Sequence, residues 1–114
     1  MRYLHGNTLM VDCTPVADVT AGDVIVVGNE CRVAHLDIEA NQLGALAAPC
    51  GAAVYDVAKQ GGAGVTFADG AAVYWDDANN RAVAADGGGA NKRLGTAVLA
   101  AADADTSVRV RHHA

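Results

Sequence analysis

Short apolar runs separated by clusters of turn residues are the main pattern along the chain. Residues 24–27 form an uninterrupted apolar run, and valine alternates with arginine over 108–111. A period of two places neighbouring side chains on opposite faces of a strand, so the valines are predicted to point inward and the arginines outward. The stretches 21–28 and 68–76 begin alike, with a turn of Gly and Asp that leads into an apolar strand. Units of this kind build all-β domains.

The pattern predicts an all-β fold, a single compact antiparallel barrel or sandwich of about eight short strands with glycine-rich loops. Turn signals recur roughly every 8–12 residues, which is the spacing typical of such folds. The predicted strands are 8–13, 24–27, 31–36, 43–48, 52–58, 71–75, 81–85, 94–100 and 106–111.

The alanine-rich segment 94–103 is the place where a helix competes with this interpretation, because alanine has the highest helix propensity. Gly95, Thr96 and Val98 interrupt the segment with weaker helix formers. We therefore predict a strand at this point of the chain.

The length of 114 residues indicates one domain. We expect a mobile N-terminal arm at 1–7, a single β domain at 8–111 and a C-terminal tail at 112–114. His112 and His113 lie in that tail, where no fixed geometry is expected. The glycine-rich segments 59–64 and 86–90 are predicted to be flexible, because glycine has the largest backbone freedom. The segment 86–90 is predicted to be a loop, whereas 59–64 is either a loop between strands or the start of a short, poorly formed helix.

Composition indicates a core of small side chains and an acidic surface. Hydrophobic residues make up 52% of the chain but aromatic residues only 4%, so the core is expected to bury little apolar area per residue. We expect a modestly stable monomer that gains from association. The formal net charge of −5 argues against nucleic acid as a partner, because affinity for phosphates comes from clustered Lys and Arg.

Lys92, Arg93, Arg109 and Arg111 are the closest approach to a basic patch, provided that their strands are neighbours. We interpret them as a solvated strand edge, where charge blocks unwanted pairing.

Cellular location is indicated only by features that the chain lacks. It has neither an apolar leader nor a run of about 20 apolar residues, so no membrane partner is predicted. The odd number of cysteines, Cys13, Cys31 and Cys50, indicates reduced thiols in a protein made in the cytoplasm.

No pattern for catalysis or metal binding is recognisable. The glycine clusters at 61–64 and 87–89 are not followed by Lys-Ser or Lys-Thr, as a phosphate-binding loop requires. Ser107 has no base beside it, and the paired carboxylates at 76–77 and 103–105 lie in predicted turns. His35 is isolated from other ligand types. We predict no catalytic residue, no metal and no cofactor, and we expect that the protein is not an enzyme.

Tyr74 and Trp75 are adjacent aromatic residues on a predicted strand, so their rings point to opposite faces. One of them is expected to face away from the core, where an aromatic ring is a candidate contact residue. The alternative is that one ring fills the core and the other covers a loop.

Several segments together resemble one protein family. They are Tyr3 with Gly6-Asn7-Thr8, the stretch VTAGDVIVVG at 19–28, GAAVYDVAK at 51–59, GAAVYWD at 70–76, RLGTA at 93–97 and VRV at 108–110. In this order and spacing the chain resembles the small phage head proteins grouped as DUF2190, which are similar to capsid cement or decoration proteins. Some members carry a RecA/RadA-type recombinase label, which this acidic sequence without a nucleotide-binding loop does not support.

The resemblance implies a structural virion protein on the outer surface of a phage head, made in the bacterial host cytoplasm. It would clamp neighbouring major capsid proteins together as a homo-oligomer, a trimer or alternatively a dimer, without nucleic acid or membrane as partner. An N-terminal arm can add a strand to a sheet of its partner. The expected capsid or oligomer contacts are Arg2, Tyr3, Leu4, Tyr74 and Trp75.

A carbohydrate- or host-surface-binding β-module is the alternative from another class. In that hypothesis Trp75 stacks on a sugar ring, while Asp76 and Asp77 accept its hydroxyl hydrogen bonds.

Overall fold

The computed structural model describes residues 1–59 and 66–114, and within these ranges the chain is all-β without an α-helix. A single turn of 3-10 helix at Gly87–Gly89 lies between two strands. The ten strands are β1 (Arg2–Gly6), β2 (Leu9–Cys13), β3 (Val24–Val27), β4 (Glu30–Val33), β5 (Gly44–Ala48), β6 (Ala53–Ala58), β7 (Ala72–Asp76), β8 (Arg81–Val83), β9 (Lys92–Ala97) and β10 (Ser107–His112).

The strands form two antiparallel sheets that pack face to face. One sheet has six strands in the order β1-β6-β10-β9-β7-β8, and the other has four in the order β2-β5-β4-β3. Neither sheet closes through a full ladder, although a single bridge between Lys59 and Ala82 links the end of β6 to β8, so the molecule is a sandwich and not a closed barrel. The predicted all-β antiparallel fold is confirmed. Most of the glycine-rich segment at 59–64 lies outside the described residues.

The core lies between the sheets and follows the period-two alternation of the strands. On β10, Val108 and Val110 are buried while Arg109 and Arg111 are exposed, as the sequence predicts. A second, smaller cluster lies on the other side of the four-stranded sheet, beneath the loops that follow β2 and β4. It consists of Val19, Ala34, Ile38 and Leu46.

The alanine-rich segment that begins at 94 is a strand and not a helix, as we expected. It belongs to β9, which pairs with both β10 and β7. The strand ends at Ala97, earlier than predicted, and Leu99 has a φ of 78° in the following turn.

Both chain ends differ from the arm and tail that the sequence suggested. Arg2–Gly6 is an edge strand, β1, which pairs with β6 and contains a bulge between Tyr3 and His5. Its pattern is hard to recognise because a strand with a bulge and one inward ring has no clear alternation. His112 is the last residue of β10 and fully buried, since the inward alternation of Val108 and Val110 continues through it.

The β9–β10 contact requires a glycine at position 95. Gly95 lies opposite His112, and a Cβ atom built on it would be 2.0 Å from the carbonyl oxygen of Arg111. This oxygen belongs to the backbone, so no side-chain rotation can relieve the contact.

Gly95→Ala is therefore expected to lower the free energy of unfolding by about 2 kcal/mol or more, because β10 must move away from β9. Gly28→Ala is the control, since Gly28 has a φ of 60° and open space around it, and about 1 kcal/mol is expected from the left-handed backbone alone. Urea unfolding followed by circular dichroism measures both. Equal losses of unfolding free energy in the two variants would show that the close approach of the Arg111 carbonyl oxygen to position 95 does not contribute to stability.

Candidate interaction surfaces

Four rings attach β1 to the body of the protein. The Tyr3 ring lies 5.0 Å from His35 and 5.7 Å from Tyr55, and Tyr55 lies 5.6 Å from His112. The Nε2 atom of His35 and the Tyr55 hydroxyl are 2.6 Å apart and share a hydrogen bond. Tyr3, expected as a contact residue, is thus largely an anchor of β1, although 41% of it stays exposed.

His112 is held as a neutral ring by its surroundings. Its Nε2 lies 2.7 Å from the carbonyl oxygen of Cys31. A carbonyl only accepts, so Nε2 carries the hydrogen, and Nδ1 has no hydrogen-bond partner among the described residues. Burial lowers the pKa of His112 and also that of His35. In the folded state both imidazole rings therefore favour the neutral form over the protonated one.

The outer side of the six-stranded sheet carries most of the arginines of the chain. Arg2 and Arg109 both lie opposite Asp56, in a row across three strands. The next row along β10 places Arg111 opposite Val54 and Thr96. We call this surface the arginine face and define it by the outward side chains Arg2, Arg81, Arg93, Arg109 and Arg111.

Two carboxylates partly balance this charge. Arg2 lies 3.5 Å from Asp56, and Arg81 lies 3.7 Å from Asp76. Arg93, Arg109 and Arg111 form no ion pair within residues 1–59 and 66–114. The arginine face is therefore a positive surface on a negatively charged protein.

The interpretation of these cations as a strand edge is wrong. Arg93 is on β9, and Arg109 and Arg111 are on β10, which are neighbouring central strands of the sheet. Lys92 does not belong to the face, because it lies opposite the inward residue Trp75 and its Nζ donates to the Gly89 carbonyl.

Tyr74 and Trp75 point to opposite faces, as predicted. Trp75 is 4% exposed in the core, and its Nε1 donates to Asp77 Oδ1 at 3.2 Å. Tyr74 lies on the outer side, where the Arg93 guanidinium is 5.9 Å from its ring centre. Of the two, Tyr74 is the residue that a partner can reach, and it adjoins the arginine face.

A groove crosses the outer side of β1, β6 and β10 at one end of the arginine face. Arg2 and Leu4 from β1, Asp56 from β6 and Arg109 from β10 line it together with Leu99. The structure thus brings Arg2, Leu4 and Tyr74 to one side of the six-stranded sheet, whereas Tyr3 and Trp75 turn inward.

The sequence analysis missed an apolar loop end on the four-stranded half. Val16, Leu36 and Leu43 are 92%, 75% and 73% exposed, on the loops that follow β2 and β4. The two loops are joined where Asn41 N donates to the Pro15 carbonyl. In the sequence, each of the three positions is a single aliphatic residue between polar or small neighbours. Loops often contain such residues, so the sequence does not mark these positions as exposed interaction sites.

Side chains suited to chemistry are not gathered anywhere in the described chain. Residues 1–59 and 66–114 contain no group of three or more His, Cys, Asp or Glu with metal-site geometry. Burial raises the pKa of the Cys31 thiol to about 12, so this cysteine stays protonated and is a poor nucleophile. None of the helices in the same ranges is long and apolar enough to cross a membrane.

Comparison with known families matches residues 4–112 to the phage cement proteins. The chain therefore belongs to the phage cement protein family, whose role is structural and associated with the phage capsid. This role points away from enzymatic activity. Neither the curated proteins nor the solved structures contain a match to the chain.

The two neutral histidines predict a loss of stability in acid. Their folded pKa values are lowered, so between those values and the ordinary value of about 6.5 the unfolded chain binds more protons. Stability is complete above that value and is lost as the pH falls, by up to about 1.4 kcal/mol per pH unit for the buried His112 ring and by less for His35, because solvent screens a partly exposed ring. His112→Gln, whose amide can still donate to the Cys31 carbonyl, is expected to reduce this slope in urea unfolding between about pH 7 and about pH 5.

His5→Gln is the matched control for the substitution itself, because His5 is exposed on β1. It is expected to change the free energy of unfolding at about pH 7 by less than about 0.5 kcal/mol. An identical slope in the wild type and His112→Gln would contradict the role of the buried ring.

Proposed function

We propose that this protein binds the outer surface of a phage head and stabilises the contacts between neighbouring major capsid proteins. The observation that carries the proposal is β1, an edge strand whose second side is unpaired within the described chain. An unpaired strand edge is a template for a strand of a partner. Capsid association itself follows from the family.

Strand β1 can serve this role while it remains attached to the sandwich. The Tyr3 ring packs on Tyr55, and the strand is hydrogen-bonded to β6, so the backbone of β1 is already ordered. A preformed strand avoids an ordering cost of about 1–2 kcal/mol per residue on binding. In this arrangement Arg2 and Leu4 touch the capsid protein, and Tyr3 holds them in place.

Self-association is the second part of the proposal. It is based on Val16, Leu36 and Leu43, three strongly exposed aliphatic side chains on two loops that a hydrogen bond joins. A trimer, or alternatively a dimer, would present several copies of β1 to the shell and strengthen weak contacts through effective concentration. The partners are then the major capsid protein and a second copy, with neither nucleic acid nor membrane. The protein would be made in the host cytoplasm and reside on the outer capsid surface.

The carbohydrate-binding alternative loses its main support. It needs the Trp75 ring to be available for stacking on a sugar, but Trp75 is 4% exposed and part of the core. Asp76 and Asp77 are also engaged, with Arg81 and with the Trp75 indole respectively. No other observation favours this function.

Arg2→Ala with Leu4→Ala is expected to weaken capsid binding about tenfold, because both contacts are lost while the β1 backbone and Tyr3 remain. The measurement is co-sedimentation with expanded capsids of the encoding phage that lack the protein, and light scattering gives the mass of the free oligomer. Saturable binding of the wild type at a fixed ratio to the major capsid protein is the expected result.

Deletion of residues 1–7 is a stronger but less specific change, since it also exposes β6 and the Tyr55 ring. Arg32→Ala is a control on the four-stranded sheet. Unchanged affinity of a folded deletion variant would refute the role of β1. If the wild type fails to bind such capsids, the proposed function is wrong.

A further inference from the structure

We infer that the arginine face is the surface turned towards the shell, and that it docks on an acidic patch of the major capsid protein. This inference rests on the proposed function and names the chemistry of its partner.

The first support is the separation of charge between the two halves of the sandwich. Residues 7–52, which contain the four-stranded sheet and its loops, carry six acidic residues and one basic residue, Arg32. That difference equals the net charge of −5 of the whole chain. The rest of the chain is neutral in sum, and its cations are concentrated on the outer side of the six-stranded sheet.

The second support is that the cations of this face are largely uncommitted to carboxylates. Arg109 and Arg111 are exposed on a central strand, and with Arg93 they form no ion pair in the described ranges. Guanidinium groups bind carboxylates through two parallel hydrogen bonds. Arg109 and Arg111, two residues apart on the outer side of β10, with Arg93 on the adjacent strand, therefore offer a preorganised surface for acidic side chains.

The third support is the type of side chain that surrounds these arginines. Tyr74 lies beside Arg93, and tyrosine and arginine are the residue types enriched at the energetic centres of protein interfaces. At the other end of the face, Arg2, Leu4 and Arg109 line the groove along β1. The arginine face is thus continuous with the edge strand that the proposed function places on the capsid.

The charge pattern favours a protein surface over nucleic acid. Asp56 lies between Arg2 and Arg109 in one row, so the sign alternates across three strands. A phosphate backbone is uniformly negative and would meet these carboxylates, whereas a folded partner can match alternating signs. A net-negative protein is also repelled by an acidic surface unless the arginine face is turned towards it, so charge selects the orientation of docking.

The test neutralises two cations on the face and two outside it. Arg109→Gln with Arg111→Gln is expected to weaken binding to cement-free expanded capsids about tenfold or more at about 150 mM salt, and to reduce its salt dependence. Arg32→Gln with Lys92→Gln removes the same net charge away from the face, and less than about a twofold change is expected. Circular dichroism and urea unfolding confirm that each variant is folded, and Arg109→Gln alone, with a smaller loss, serves if the double variant is not.

Three binding results would contradict the inference, and they can be distinguished from one another. Capsid binding by the wild type with equal affinities of the two double variants would overturn the inference and leave the proposed function standing. Absence of binding by the wild type would overturn both. If Arg109→Gln with Arg111→Gln keeps capsid affinity but loses binding to a short DNA duplex, the face serves nucleic acid and the inference is wrong.

Discussion

Burial of the Tyr55 ring is the interaction on which the rest of the structure depends. Tyr55 is fully buried in β6 and contacts Tyr3, His35 and His112, so a single ring joins the edge strand, the loop after β4 and the end of β10. Its hydroxyl is satisfied by His35, which makes the burial of a polar atom acceptable. A strand cannot slip by one residue without turning every side chain over, so this ring fixes the register of its neighbours.

That register determines what the surface looks like. With Tyr55 and Val110 inside, Asp56, Arg109 and Arg111 point outward by the period of the strand. Neighbouring strands then align these side chains into rows, and Arg2 joins them from the start of the chain. A core contact therefore organises the charge of the opposite face, although none of the arginines takes part in the core.

The two halves of the sandwich offer a partner different physical properties. The six-stranded sheet presents cations, an exposed Tyr74 and an unpaired strand edge, whereas the four-stranded half presents negative charge and the apolar loop end. Such a division suits a small structural protein that must hold one orientation on a surface. In the proposed docking, charge would guide the approach, and contacts with β1 and between copies would contribute affinity.

The local pattern of the sequence was sufficient for the all-β class, most strands and the opposite directions of Tyr74 and Trp75. It did not identify β1, whose bulge and single inward ring conceal the alternation, and it treated His112 as part of a tail although the inward period reaches it. Only the tertiary structure decided which of Tyr74 and Trp75 is buried and that the strand of Arg93 lies beside the strand of Arg109 and Arg111. Local preferences act over a few residues, whereas strand order depends on which apolar faces bury one another. Arg2 and Arg109 are distant along the chain, so no local pattern can show that they lie in the same row of the sheet.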